Sequence, residues 1–335
     1  MRQLPPQTPH AYLIGDILNT PKFLQKDIEK VEEKMRAQAN KRHPNLRVAL
    51  ENLLEAGGKR VRPRLVLLTG NMFGANEEQL ITLAAAIEML HTATLVHDDL
   101  IDGSLMRRGN ETINAHWTPA ATVLTGDFVF ARAAKLAANT GSLALMDLFA
   151  ETLAVIVNGE LTQMFDSRGL ISRDNYIQRI YAKTASLIET CTQGATMLCP
   201  VEDKTILAMK EFGYNLGMAF QIMDDILDFT GKEDAVGKPL GSDLLQGLVT
   251  LPTIYYIEKF PNSPYVKVLL NGNYQDTEKI KKLIDEIRHS EAPCMAHDEA
   301  KTFVQKALAI LTAFPISKER TSLEEMSRYI ISRDI

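Results

Sequence analysis

The sequence predicts an all-α protein. Apolar residues recur at helical spacing in most long segments, and the alternation of β-branched residues that is typical of strands is nearly absent. Hydrophobic residues make up 45% of the 335 residues, which is enough to bury a large core. No linker or composition break is visible. We therefore expect one domain over residues 1–335, with an irregular arm over residues 1–21 and a helical core over residues 22–335.

Composition excludes several classes of protein. The net charge of −5 gives no reason to expect nucleic-acid binding. Three cysteines, Cys191, Cys199 and Cys294, lack metal-site spacing, and their odd number argues against a disulfide framework. No N-terminal targeting signal is visible, and polar residues interrupt each apolar run before about 20 residues. We expect a soluble, cytoplasmic protein.

Three aspartates follow a long apolar stretch and precede Gly103. Asp98, Asp99 and Asp102 stand at i, i+1 and i+4, so Asp98 and Asp102 share one face of a helix. Mutual repulsion and the negative end of the helix both disfavour these charges unless cations bind there. Oxygen-only ligands favour Mg²⁺ or a similar hard ion. The arginine pair at 107 and 108 then suggests an anion held close to the metal.

A second triplet repeats this spacing. Asp224, Asp225 and Asp228 end another apolar helix and again precede a glycine, Gly231. One such triplet is also compatible with a solvated helix end, but two in apolar surroundings are much less so. The sequence therefore predicts two carboxylate clusters that face each other across a cavity and share metal ions gripping a diphosphate.

Basic residues occur in three further segments. In Gly57-Gly58-Lys59-Arg60-Val61-Arg62 the glycines allow close approach of the backbone to a ligand, although a basic surface loop is also consistent with this pattern. Lys183 lies in an otherwise apolar helix, where burying an unpaired ammonium group is costly, so an anionic partner is expected. Residues 230–243 are rich in glycine and charge, which is typical of a solvated loop or of a mobile lid over diphosphates.

With these motifs the chain resembles the trans-polyprenyl diphosphate synthases, over residues 54–256 and again near its end at Tyr329–Arg333. The resemblance implies the isoprenoid synthase fold, a bundle of about 10–13 helices around a central cavity. It also implies a homodimer and two or three Mg²⁺ ions in each active site. The implied metal ligands are Asp98, Asp99, Asp102, Asp224 and Asp228.

The resemblance also assigns the substrate ligands. Those of isopentenyl diphosphate are Lys59, Arg62, His91 and Arg108, and those of the allylic diphosphate are Arg107, Lys183, Thr184, Gln221 and Lys238. The six aspartates of the two motifs, with Lys183 and Lys238, are the catalytic residues. The chain departs from the commoner pattern at Leu248, where a lysine is usual.

The implied reaction is a Mg²⁺-dependent head-to-tail 1′–4 condensation. Ala93 and Thr94 lie about 6–7.5 Å below Asp98 along the helix, where short-chain relatives place aromatic residues. Such small side chains leave a tunnel open, so we expect an all-trans product of about C30 to C50. Leu90 and Ile87, about 12 and 16 Å down, are candidate floor residues.

Several alternatives remain open at this point. The chain is also compatible with a geranylgeranyl or farnesyl diphosphate synthase, or with the catalytic subunit of a heteromeric long-chain synthase. A terpene cyclase would usually carry a different second metal motif, and a non-catalytic subunit should have lost the aspartates. A hydrophobic product could also draw the enzyme to membrane surfaces.

Overall fold

The computed structural model describes residues 20–39, 44–55, 59–107, 109–166, 172–231, 240–270 and 276–332. These residues are almost entirely helical, which confirms the predicted fold class. Helices of the first part of the chain are α1 Gln25–Arg36, α2 Pro44–Glu55, α3 Val61–Met72, α4 Glu77–Ile101, α5 Ile113–His116, α6 Pro119–Asn139 and α7 Leu143–Asp166. Those that follow are α8 Arg173–Ile180, α9 Ser186–Met197, α10 Asp203–Thr230, α11 Ser242–Leu245, α12 Leu251–Lys259, α13 Pro264–Leu270, α14 Thr277–Arg288, α15 Ala292–Leu311 and α16 Lys318–Ile331.

Shorter elements complete the described chain. Lys22–Leu24 and Ala37–Ala39 are 3₁₀ turns on either side of α1, and Tyr181–Ala185 forms a π-helical turn between α8 and α9. Because four-residue helices such as α5 and α11 stand beside the long ones, the helical segments outnumber the 10–13 expected.

Helix boundaries follow from local capping. The Asn76 side chain accepts a hydrogen bond from Gln79 N at the start of α4, and α4 ends just before Gly103, whose φ is +64°. Thr118 caps α6 in the same way, with Pro119 in the first turn. These capping interactions fix the residue at which each helix begins. They therefore also fix the direction in which each later side chain points from the helix axis.

By its internal packing the chain divides into two compact units, which we describe separately. The first comprises Met1–Met146, Gly194–Val201 and Pro315–Tyr329, and the second comprises Asp147–Gln193, Glu202–Phe314 and Ile330–Ile335. In the first unit α4 is the central helix, with Ala84, Ala85 and Leu90 fully buried. In the second unit α10 is central, with Phe212, Ala219 and Phe229 fully buried.

One strand pair interrupts the helices of the first unit. β1 Met106–Arg107 and β2 Asn110–Glu111 pair antiparallel, with Met106 opposite Glu111 and Arg107 opposite Asn110. Gly109 in the connecting turn has a φ of +79°, a conformation that favours glycine. The hairpin carries Arg107 directly after the first aspartate motif.

Helix α4 is long and apolar enough to cross a membrane by composition, which sequence inspection did not anticipate. Most of its apolar window is buried inside the fold, as in the core helix of a compact protein. The predicted N-terminal arm lies largely outside the described residues.

Candidate active site

The first aspartate motif lies at the C-terminal end of α4, and its three carboxylates differ in their exposure to solvent. Asp98 is half-buried, Asp99 is buried, and Asp102 is exposed at the C-terminal cap. Arg107 Nε donates to Asp99 Oδ1 at 2.7 Å, and Ser104 N donates to the Asp99 carbonyl at 2.8 Å. Asp99 therefore holds the hairpin against the end of the helix. Metal binding by Asp99 stays a prediction. A metal ion bound there would share this carboxylate with Arg107.

His97 fixes the rotation of α4 beside the first motif. A Cβ on Gly126 of α6 would lie 2.1 Å from His97 Nε2, and the Phe130 ring centroid is 5.3 Å from the His97 ring centroid. Asp127 Oδ1 lies 3.6 Å from the same imidazole nitrogen. Asp127 lies inside α6, which begins at Pro119.

Arg60 in the predicted basic segment is held by two carboxylates. Its Nε donates to Glu32 Oε1 at 3.0 Å, and its Nη1 donates to Glu88 Oε1 at 3.1 Å. Its φ of +46° is left-handed, which costs an L-residue roughly 1–2 kcal/mol. The two ion pairs offset that strain and fix the backbone between Lys59, which is exposed, and Arg62, which is half-buried. Gly57, Gly58 and Arg108 lie outside the described residues.

The residues predicted to set product length lie on the buried part of α4. Ala93, Leu90 and Ile87 are completely buried. Thr94 is half-buried, and its Oγ1 donates to the His91 carbonyl at 2.8 Å. His91 is itself half-buried, two turns before Asp98. Their roles in product length and substrate binding stay predictions.

The second aspartate motif lies near the end of α10, in the second unit. Asp224 is half-buried, and Asp228 is buried. Asp228 Oδ1 accepts from Ser242 N at 3.1 Å and from Ser242 Oγ at 2.7 Å, and its Oδ2 accepts from Asp243 N at 3.2 Å. Burial and, to a smaller degree, the negative charge of Asp243 raise the pKa of Asp228. Asp243 thus belongs electrostatically to this motif.

Asp225 points into the interior of the second unit. Tyr176 Oη donates to its Oδ2 at 2.8 Å, and Gln221 Nε2 donates to its Oδ1 at 2.8 Å. Burial, with a smaller contribution from the charge of Asp243, raises the pKa of Asp225 from its ordinary value of 3.8 to about 7. The motif therefore contains one half-buried carboxylate, Asp224, and two buried ones that accept hydrogen bonds from the protein.

Lys183 and Thr184 lie on the π-helical turn, and π turns often occur at functional sites. The sequence suggested a buried lysine, which is wrong, because Lys183 is exposed, whereas Thr184 is buried. Thr184 Oγ1 donates to Gln221 Oε1 at 2.5 Å, which joins two of the predicted allylic-diphosphate ligands. Lys238 lies outside the described residues.

The donor chemistry of both motifs fits a hard divalent cation, since every candidate ligand is a carboxylate oxygen. Within the described part of the chain, no three His, Cys, Asp or Glu side chains are already gathered as a metal-binding set. Asp98, Asp102 and Asp224 are the most accessible aspartates of the motifs.

Sequence reasoning missed four residues that support the site. Gly126 could have been noticed as a glycine inside an apolar helix, a common mark of close packing. Tyr176, His97 and Ser242 carried no local signal, because their partners lie far away in the sequence.

Comparisons with known proteins agree with this geometry. A family model described as polyprenyl synthetase matches residues 43–287. Heptaprenyl diphosphate synthase component 2 of Geobacillus stearothermophilus is 36% identical over 313 residues, which cover 93% of this chain and 97% of that protein. Solanesyl diphosphate synthase 2, chloroplastic, of Arabidopsis thaliana is 35% identical over 92% of this chain and 75% of its own length.

A solved structure extends the comparison to the fold. The polyprenyl synthase of Caulobacter crescentus, complexed with calcium and isoprenyl diphosphate, matches with a TM-score of 0.87 and 32% identity. The match covers 96% of this chain and 98% of that one.

Proposed function

Because the chain belongs to the polyprenyl synthetase family and is therefore a prenyltransferase, we propose that it extends an allylic diphosphate with isopentenyl diphosphate. The reaction is a head-to-tail 1′–4 condensation, and the product is an all-trans polyprenyl diphosphate of about C30 to C50. The single observation that carries this proposal is the pair of Asp-Asp-x-x-Asp motifs, each at the end of a long buried helix.

The metal of the proposed reaction is Mg²⁺, with two or three ions in each site. When bound, it would neutralise charge on the departing diphosphate, as metal ions do in phosphate chemistry. Asp98, Asp102 and Asp224 would hold it, and Asp228 would join them while keeping its amide donors. The calcium and isoprenyl diphosphate complex of the Caulobacter crescentus relative supports divalent-metal binding in the family.

The chain's own cations provide the remaining charge stabilisation. Lys183 and Lys238 supply ammonium groups for the allylic diphosphate, and preorganised positive charge of this kind favours a developing anion. Arg107 is oriented by Asp99 through its Nε at 2.7 Å, so its planar guanidinium is held at the edge of the first motif. Lys59 and Arg62, on either side of the fixed Arg60, would bind isopentenyl diphosphate.

Departure of the diphosphate leaves an allylic cation, which the double bond of isopentenyl diphosphate attacks, and a proton is then lost. No protein side chain is assigned as the base. The departing diphosphate fills that role in this proposal. Ala93 and Thr94 leave room for the growing chain below the first motif.

We further propose a cytoplasmic homodimer. Helix α6 exposes Val123 and Leu124, which are 41% and 68% accessible, and a second copy would cover such an apolar surface. A heteromeric synthase is the second candidate assembly, because one relative is named as component 2 of a heptaprenyl diphosphate synthase.

The decisive experiment incubates the purified chain alone with Mg²⁺, isopentenyl diphosphate and farnesyl diphosphate, and measures product length by mass spectrometry. Products of about C30 or longer are expected from the open tunnel. Products that stop at C20 would keep the reaction and contradict the long-chain proposal. A folded but inactive chain that gains activity from a partner protein would support the heteromeric assembly.

A further inference from the structure

Tyr176 begins a hydrogen-bond chain that links α8, α10 and the π-helical turn. Its side chain is completely buried, and its hydroxyl donates to Asp225. Asp225 in turn accepts from Gln221 one turn earlier on α10, and Gln221 accepts from Thr184. The hydroxyl of a residue with no assigned role is thus connected to two proposed diphosphate ligands.

A second anchor lies at the end of the turn, where α10 crosses the last residue of the turn and the first part of α9 in close backbone contact. A Cβ on Gly217 would lie 2.6 Å from Ala185 Cα, and one on Gly213 would lie 2.7 Å from Glu189 Cα. Four residues separate the two contact points on each helix, as expected for two regular antiparallel helices. These close contacts prevent the two helices from sliding along each other.

Between these two anchors the helices differ in length by one residue. On α10, Asp225 follows Gly217 by eight residues, but on the facing segment Tyr176 precedes Ala185 by nine. The extra residue is accommodated in the π-helical turn Tyr181–Ala185, which carries Lys183 and Thr184. A π turn is less favourable than an α-helix, so it persists only while both of its ends are held.

We propose that Tyr176 is a positioning residue for the condensation, and that with Asp225 as its acceptor it holds the π turn so that Lys183 faces outward and Thr184 meets Gln221. The inference rests on the proposed function, since Lys183 and Thr184 are its diphosphate ligands. Without the hydroxyl, the segment can return to regular α-helix. A shift of one residue rotates the side chains by about 100° and moves Lys183 away from its ligand.

The test is a double-mutant cycle with Tyr176→Phe and Lys183→Ala. Tyr176→Phe alone is expected to lower kcat/KM for farnesyl diphosphate at least about tenfold, since small misplacement of a binding group has large effects. The KM for isopentenyl diphosphate should change less than about twofold. In the Lys183→Ala background, Tyr176→Phe should lower kcat/KM by a smaller factor than in the wild type, because part of its effect acts through Lys183 and the rest through Thr184.

Tyr256→Phe is the matched control. Tyr256 is also buried in the second unit, and its hydroxyl donates to a carboxylate of α14, Glu286, rather than to one of the aspartate motif. It should lose stability as Tyr176→Phe does and keep the wild-type kcat/KM for farnesyl diphosphate.

If the two substitutions lower kcat/KM independently, so that their factors multiply in the double variant, the inference is overturned. The proposed condensation reaction would still stand. Binding of inorganic diphosphate with Mg²⁺, measured by calorimetry on the same proteins, does not depend on turnover. Tyr176→Phe should weaken this binding more in the wild type than in Lys183→Ala, and an equal loss in both backgrounds overturns the inference even if no condensation occurs. If Tyr176→Phe does not fold, Asp225→Leu, which is close in shape and removes the acceptor of the Tyr176 hydroxyl, replaces it in both cycles.

Discussion

Asp225 should make the metal-free protein less stable as the pH rises toward neutrality. Its pKa is about 7 in the folded chain, against an ordinary value of 3.8. Between these values the folded state keeps a proton that the unfolded state has released, so each pH unit removes about 1.4 kcal/mol of stability. The loss of stability begins near the ordinary pKa of 3.8 and levels off above the folded-state pKa of about 7. From about pH 5.5 to about pH 7.5 it amounts to about 2 kcal/mol.

The assay is urea unfolding at about pH 5.5 and about pH 7.5, with divalent cations chelated, for the wild type and Asp225→Asn. The variant keeps the volume of the side chain and has no proton to exchange. Its stability should therefore fall about 2 kcal/mol less between the two pH values than that of the wild type. Histidines and other titrating groups are common to both proteins and cancel in the difference. Equal pH dependence in both proteins would refute the assignment of a protonated, buried Asp225.

Two further substitutions test other parts of the molecule. Ala93→Phe should shift products toward farnesyl or geranylgeranyl length by filling the tunnel. Ala138→Phe, at an exposed position, is the control. A product distribution in Ala93→Phe equal to that of the control would contradict the tunnel assignment. Arg60→Ala should destabilise the first unit by about 3 kcal/mol in urea unfolding, because it leaves Glu88 buried without this partner. Arg36→Ala removes an exposed ion pair and should cost well under about 1 kcal/mol. Equal losses of stability in the two variants would contradict the view that the ion pairs of Arg60 hold its strained backbone in place.

Spacing along the chain was sufficient to predict the helices that carry both aspartate motifs. The apolar run before Asp98 is buried as expected, and α4 ends next to Gly103 as its sequence indicates. The same rules apply to α10 and Asp224. These features are local, so a single sequence contains them.

The features that escaped prediction depend on partners distant in sequence. The left-handed Arg60 is fixed by Glu32 and Glu88, and neither pairing has a local signal. The exposure of Lys183 follows from an extra residue between two helix contacts, which only the packing of α10 reveals.

The hydrogen bonds at Asp228 also bear on chain entropy. Gly241 N donates to the Asp228 carbonyl at 2.7 Å, so the chain that leaves this aspartate returns to it thirteen residues later. The ends of the intervening segment are thus joined by the aspartate and its partners, whatever the length between them. Doubling the length of a flexible loop closed in this way costs only about 0.6 kcal/mol. The closure of the chain on itself at this point therefore depends on Asp228, Gly241 and Ser242, and on the number of residues between them only weakly.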